Sequence, residues 1–136
     1  MTTLQNILQD VHPWIGYVTS VVLLVTALVA FKRAKDAREF NAGVFSAALG
    51  LLEFQFLLGI VLYAIGRYWE ATPELAYIHP ALALLAVGLG RSMLGRAKKT
   101  QMAVEAHRKA GRALIFALVF TLLAVGVASA PPFLNG

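Results

Sequence analysis

The 136-residue chain contains no cysteine, and charged residues make up only 14% of it. The missing cysteine excludes disulfides, thiolate metal sites and iron–sulfur clusters, which leaves histidine as the best ligand for a borderline metal ion. Soluble domains carry roughly 25% charged residues, whereas 59% of this chain is apolar. Such a chain needs lipid as its solvent, and we expect a lipid bilayer around it.

Charged residues are nearly absent from four long stretches. Residues 13–31, 75–90 and 113–131 contain none, and residues 40–66 contain only Glu53. About 20 helical residues span a bilayer core that is about 30 Å thick. The sequence therefore predicts an all-α integral membrane four-helix bundle as a single domain over 1–136, with helices at about 13–33, 41–66, 75–96 and 107–130.

The first residues differ from a secretory signal, because residues 1–11 contain no Lys or Arg ahead of the first apolar stretch. We therefore expect the first helix to be retained. Apolar residues recur at helical spacing within this leader, which predicts a short amphipathic helix over 3–11 that lies on the outer surface. Pro13 suits the first turn of the membrane helix that follows.

The net charge of +5 comes from twelve basic residues that are unevenly distributed. Four lie within 32–38 and seven within 91–112, while Arg67 alone lies in the connection on the other side. The positive-inside rule then places both basic loops in the cytoplasm and both termini outside. The charge sets topology and requires no nucleic acid, and we expect a multi-pass protein, most simply of a prokaryotic inner membrane.

An internal repeat becomes visible when the chain is shifted by 67 positions. His12-Pro13 then superposes on His79-Pro80, and Gly59 superposes on Gly126. This predicts two helical hairpins of the same orientation, related by a pseudo-twofold axis along the membrane normal. His12 and His79 would lie at one depth near the outer face, on helices one and three.

Two histidines at equivalent positions suggest a ligand pair. A neutral imidazole is a good axial ligand for haem iron or for the magnesium of a chlorophyll-type pigment. Small residues lie one turn inward on the same helix faces, Gly16 after His12 and Ala83 after His79, and they leave room for a flat ligand between helices or for close helix packing. The alternative is that each histidine is an interfacial polar residue that binds no cofactor.

Glu53 lies near the middle of helix two, where an ionised carboxylate is costly and needs a partner. Arg91 on helix three reaches a comparable depth, so a Glu53–Arg91 pair can form. The pair could handle protons, or it could be a structural contact between helices, which we favour. With Gln55, these are the only polar groups that could serve a transporter or channel, which therefore ranks last.

The helix starts "HPWIGY" and "HPALAL", together with "HRKAGRAL" opening a fourth helix from the inside, resemble the four-helix core of the cytochrome b561 and ferric-reductase-like group. The four-helix halves of haem A synthase have a similar plan. The resemblance covers roughly residues 11–127. It implies a membrane b-type cytochrome with His12 and His79 as axial ligands of an outer haem b and His107 as the remnant of an inner pair. The repeat aligns His107 with Phe40, so one member of that inner pair is missing.

A haem at the outer face would need donors for its propionates. Arg67 is the basic residue on that side and could be helped by Tyr68 and by Trp14 or Tyr77, although Arg67 could equally extend from the helix end to the headgroups. The leading hypothesis is an electron-transfer protein with one haem, acting alone or with a redox partner. The alternative is an accessory subunit of a respiratory or photosynthetic complex, which binds other membrane subunits, a lipid or a pigment. Because no nucleophile–base pair or phosphate loop is visible, a stand-alone enzyme is less expected.

Overall fold

The computed structural model describes residues 2–131 and is helical throughout, with no strand in that range. Four long α-helices form the fold: α1 (Thr3–Lys35), α2 (Gly43–Ile65), α3 (His79–Lys98) and α4 (Ala103–Ser129). The connection between α2 and α3 contains a 3₁₀ turn, Tyr68–Glu70, and a π-helical turn, Glu74–Ile78, that runs directly into α3.

All four helices are long and apolar enough to cross a membrane. Each one exposes large aliphatic side chains, for example Val21 at 60%, Leu57 at 59%, Leu84 at 58% and Leu122 at 51%. Exposed apolar side chains on every helix are what a lipid-facing surface requires. The predicted four-helix membrane bundle is confirmed, and the chain is a multi-pass integral membrane protein.

The helices are arranged as a ring in chain order. Helix α1 packs against α2 and α4, α3 packs against the same two helices, and α1 and α3 lie diagonally opposite with no close backbone approach within residues 2–131. Short connections make consecutive helices antiparallel, so α1 and α3 run in the same direction. We call the end where α1 and α3 begin the histidine end, and the opposite end, with the 36–42 and 99–102 connections, the basic end.

The first helix differs from the prediction. Residues 3–11 form no separate surface helix, because α1 runs unbroken from Thr3 to Lys35 with Pro13 inside it. The start is set by Thr2, whose Oγ1 accepts a hydrogen bond of 3.2 Å from the Gln5 amide, in the pattern of a capping box. Pro13 removes one backbone donor, and the helix continues past it. Helix α4 also begins one turn earlier than predicted, at Ala103.

The interior is filled unevenly along the bundle axis. At the basic end, Phe45, Leu94 and Leu114 are fully buried among alanines of α1 and α4, such as Ala27, Ala30, Ala110, Ala113 and Ala117. Small residues allow α1 and α4 to approach closely in the absence of a hydrophobic force between helices. Towards the histidine end the interior residues are instead Gly16, Thr19 and Ser20 on α1. A cavity lies between the helices at this end.

Candidate cofactor site

A cavity of about 590 Å³ lies between the four helices at the histidine end. Pockets for small ligands and cofactors typically measure about 300–1,000 Å³. The lining runs from Gln9 to Tyr17 on α1, from Leu52 to Tyr63 on α2 and from Thr121 to Ser129 on α4. At about 1.5 Å of rise per residue, the cavity therefore extends about 12 Å along α1 and α4 and about 16 Å along α2.

His12 and His79 line this cavity from the two diagonal helices. Their ring centres are 6.3 Å apart, and the ring planes are inclined at 77°. Metal–imidazole bonds are about 2.0 Å long, and a ring nitrogen lies about 1.1 Å from its ring centre, so two imidazoles on opposite sides of one metal have centres about 6 Å apart. The observed separation is close to this value, and it also lies within the range of roughly 4.5–7 Å for ordinary edge-to-face ring contacts.

His79 is held in a defined orientation. Its Nδ1 lies 2.8 Å from the backbone oxygen of Ala124 on α4. A carbonyl oxygen can only accept, so Nδ1 carries the proton and Nε2 keeps its lone pair. Metal-binding histidines usually donate their other N–H to such an oxygen, which fixes the tautomer. The π-helical turn Glu74–Ile78 ends directly before His79, and single π-helical turns are frequent at functional sites.

His12 is enclosed by two residues of α2 that are one turn apart. A Cβ placed on Gly59 would lie 3.0 Å from His12 Cε1, so any larger residue there requires the imidazole to shift by a few tenths of an ångström. Gln55 donates from Nε2 to the His12 backbone oxygen at 2.7 Å. His12 Nδ1 is buried and has no hydrogen-bond partner among residues 2–131.

The other predicted site residues divide into two groups. Gly16, Tyr68 and Ala83 line the cavity, and the Tyr68 hydroxyl accepts a 2.8 Å hydrogen bond from Gln9 Nε2. Trp14 and Tyr77 lie outside the lining and are mostly exposed, at 71% and 66%.

Arg67 also lies outside the lining and forms an exposed ion pair with Glu70. Its backbone φ of 54° reverses the chain after α2. The structure therefore brings together both histidines with Gly16, Tyr68 and Ala83, and it separates them from Trp14, Tyr77 and Arg67.

The sequence analysis did not assign Gln9, Gln55 or Thr121 to the site. All three line the cavity, and each is a polar residue within or beside a long apolar stretch. A helix that faces lipid on one side and other helices on the other is apolar all round, so an isolated polar residue is the best marker of its inward face. Gln55, which is only 9% exposed, carries this signal most clearly.

No group of three or more potential metal ligands occurs in residues 2–131. A metal ion bound by His12 and His79 would need its remaining ligands from another molecule. Comparison with models of protein families, with curated proteins and with solved structures finds no match for this chain. The chemistry of the site has to be argued from its own residues.

The basic end contains a different aromatic cluster. His107 is fully buried, with its ring centre 5.1 Å from Phe40 and 6.0 Å from Phe45. Its Nδ1 lies 2.9 Å from the backbone oxygen of Ala103. Its basic neighbours Arg108, Lys109 and Arg112 predict a solvated histidine facing the headgroups. This prediction is wrong, because His107 lies on the inward face of α4, packed against two phenylalanine rings.

The predicted pair of Glu53 and Arg91 forms between α2 and α3. Arg91 donates from Nε to Glu53 Oε1 at 2.6 Å and from Nη1 to the Ser46 hydroxyl at 2.7 Å. Both charged side chains are a little over one third exposed. With its carboxylate paired and its guanidinium bonded to two groups, this cluster links α2 to α3.

Proposed function

We propose that this protein is a small membrane b-type cytochrome that binds one haem b between His12 and His79. The observation that carries the proposal is the pair of imidazoles on diagonal helices, 6.3 Å apart, in a cavity of about 590 Å³. A bound haem would carry single electrons as its iron changes between the ferric and ferrous states. The protein would transfer electrons alone or as the haem subunit of a redox complex.

The number of ligands favours haem over a bare metal ion. A porphyrin supplies four equatorial nitrogens and needs only axial ligands from the protein, which matches a site of two histidines. Zinc in a structural site takes four protein ligands, and residues 2–131 bring no third candidate ligand to the pair. A chlorophyll-type pigment generally needs one axial imidazole, so it would leave the second histidine without a role.

The chain's own residues would do three things for such a group. His79 presents Nε2 because Ala124 holds its Nδ1. The close contact of His12 with Gly59 keeps the second imidazole on the opposite wall. Apolar side chains of α2 and α3, such as Phe56 and Leu84, line the space between and would exclude water from it.

The site would lie near the outer face of the membrane. The basic residues cluster at the other end, in the loops that the positive-inside rule assigns to the cytoplasm. In a prokaryotic inner membrane the histidine end would then face the periplasm, where it could meet a redox partner or another subunit.

The test is an absorption spectrum of the purified protein in detergent, oxidised and then reduced, with haem supplied during expression. We expect a Soret band and sharp α and β bands on reduction, as for six-coordinate iron. The His12→Ala/His79→Ala variant should lose these bands, and added imidazole should restore them in part by refilling the two positions.

His107→Ala is the matched control, because it removes the only other histidine and lies at the opposite end of the bundle. It should keep the spectrum, and circular dichroism should show that each variant remains helical. A wild-type protein without a Soret band, or a double variant that keeps it unchanged, would contradict the proposal. Copurification with a larger assembly and no haem would favour the accessory-subunit alternative.

A further inference from the structure

Gln55 occupies a special place beside the candidate ligand His12. It lies on the cavity wall, one turn before Gly59, and is 9% exposed. The effect of Gln55 on a bound haem rests on the proposed function, but the first test of its role needs no haem.

The orientation of the Gln55 amide is fixed by its neighbours. Nε2 donates to the backbone oxygen of His12 at 2.7 Å, and an oxygen in the same place would face another acceptor. Gly16 makes this approach possible, since a Cβ there would lie 3.1 Å from Nε2. The other amide atom, Oε1, is buried and accepts no hydrogen bond from residues 2–131.

A second buried polar atom without a partner in the described part of the chain belongs to His12, the residue to which Gln55 is hydrogen-bonded. His12 Nδ1 is buried and unpaired within residues 2–131, whereas the equivalent Nδ1 of His79 has the Ala124 oxygen at 2.8 Å. Leaving a buried donor or acceptor unpaired costs about 1–3 kcal/mol. The two unpaired atoms are complementary, because the amide oxygen can only accept and a protonated Nδ1 can donate.

We infer that Gln55 is the positioning residue of His12, with Oε1 accepting the Nδ1–H hydrogen bond through one water molecule. Gln55 then holds this residue twice, at its backbone oxygen and at its ring. The proton is confined to Nδ1, and the Nε2 lone pair remains available to the cavity. Gln55 thus does for His12 what the Ala124 oxygen does for His79.

This role predicts an effect on a bound iron. When the imidazole nitrogen that does not bind the metal donates a hydrogen bond, the imidazole becomes a stronger electron donor to the metal. A stronger donor stabilises ferric iron, so the bond lowers the reduction potential. Gln55→Leu should therefore raise the midpoint potential, and Gln55→Glu, whose carboxylate accepts more strongly, should lower it.

The first experiment reads the tautomer of His12 in haem-free protein, using ¹⁵N-histidine solid-state NMR in lipid bilayers and a His12→Gln spectrum for assignment. We expect the Nδ1–H tautomer of His12 in the wild type and a mixture with the Nε2–H form in Gln55→Leu. Gln9→Leu is the matched control, since Gln9 lines the same cavity but bonds to Tyr68, and it should leave the His12 signals unchanged.

The second experiment measures the midpoint potential of haem-loaded protein for the same variants and for Gln55→Glu. Opposite shifts for Leu and Glu at position 55, with six-coordinate spectra retained, support the positioning role. A wild-type His12 with its proton on Nε2, or a tautomer unaffected by Gln55→Leu, overturns it. If the wild type binds no haem, the proposed function fails while the NMR result still decides the role of Gln55.

Discussion

Phe40 and His107 are in edge-to-face contact at the basic end, with ring centres 5.1 Å apart. They are separated by 67 positions, as are His12 and His79, whose ring centres are 6.3 Å apart. Residues related by a twofold axis come close only if both lie near that axis. The two pairs are therefore the places where the predicted axis of the internal repeat would pass, one pair in a cavity and the other in a packed core.

This contrast predicts the outcome of restoring a histidine at position 40. In Phe40→His both ends would carry a histidine pair, yet we expect no more than one haem per chain. The cavity ends at Tyr17, Leu52 and Thr121, and the fully buried Phe45 and His107 fill the space beyond. Haem content per chain, from a pyridine haemochrome assay against protein concentration, measures this directly. Two haems per chain would show that the basic end opens to admit a ligand.

The repeat also supplies a matched pair of glycine substitutions. Gly59→Ala places a methyl group 3.0 Å from His12 Cε1, whereas Gly126→Ala, at the equivalent position of α4, has nothing within 4 Å. Because the imidazole must tilt to relieve the first contact, we expect Gly59→Ala to weaken haem binding about tenfold, or about 1.4 kcal/mol. Gly126→Ala should leave the affinity unchanged and stabilise the helix by up to about 1 kcal/mol.

Haem titration of apoprotein, followed at the Soret maximum, measures both affinities, and thermal unfolding measures both stabilities. Since either substitution improves helix propensity, a loss confined to Gly59→Ala has to come from the contact with His12. Equal affinities in the two variants would mean that the position of this imidazole is unimportant for binding.

The sequence was sufficient for the four spans and for the Glu53–Arg91 pair, because both follow from the cost of charge in hydrocarbon. It did not predict which face of each helix points towards the interior of the bundle. In water an amphipathic helix shows its buried side by an apolar stripe, but in lipid both sides are apolar and the stripe disappears. Trp14 and Tyr77 were therefore predicted at the site from their depth alone, and the structure places them outside the cavity lining.

The start of α1 shows a different kind of limit. The signal at Thr2 and Gln5 was present in the sequence, but Pro13 was read as a helix start because proline is common there. The hydrogen bond from Gln9 to Tyr68 joins the leader to the connection after α2, a contact between distant residues that the sequence alone does not reveal.

Glu53 and Arg91 should stabilise the bundle only when both are present. Arg91→Leu leaves a carboxylate without its partner in hydrocarbon, and Glu53→Leu leaves an unpaired guanidinium, so we expect each to lower the free energy of unfolding by about 2–4 kcal/mol. The double variant should lose much less than the sum. Reversible unfolding in mixed micelles measures the stability of the wild type, both single variants and the double variant. Ser92→Ala, at the next position of α3, is a control for local packing. Additive losses would show that the two charges are held independently.

Tyr68 lines the cavity and its sequence neighbour Arg67 does not, so we expect substitutions of the two residues to differ in their effect on haem binding. Gln9 donates to the Tyr68 oxygen at 2.8 Å, so the Tyr68 hydroxyl proton remains available for a carboxylate such as a haem propionate. Arg67 is paired with Glu70 outside the lining. We expect Tyr68→Phe to weaken haem binding about three- to tenfold, as the loss of one hydrogen bond of about 0.5–1.5 kcal/mol implies. Arg67→Gln should change binding less than about twofold, a residual surface effect.

Both affinities come from the same Soret titration. Because glutamine adopts the backbone φ of 54° at a cost similar to that of arginine, the comparison is free of a conformational difference. A larger loss in Arg67→Gln than in Tyr68→Phe would mean that Arg67 leaves Glu70 to reach the bound group.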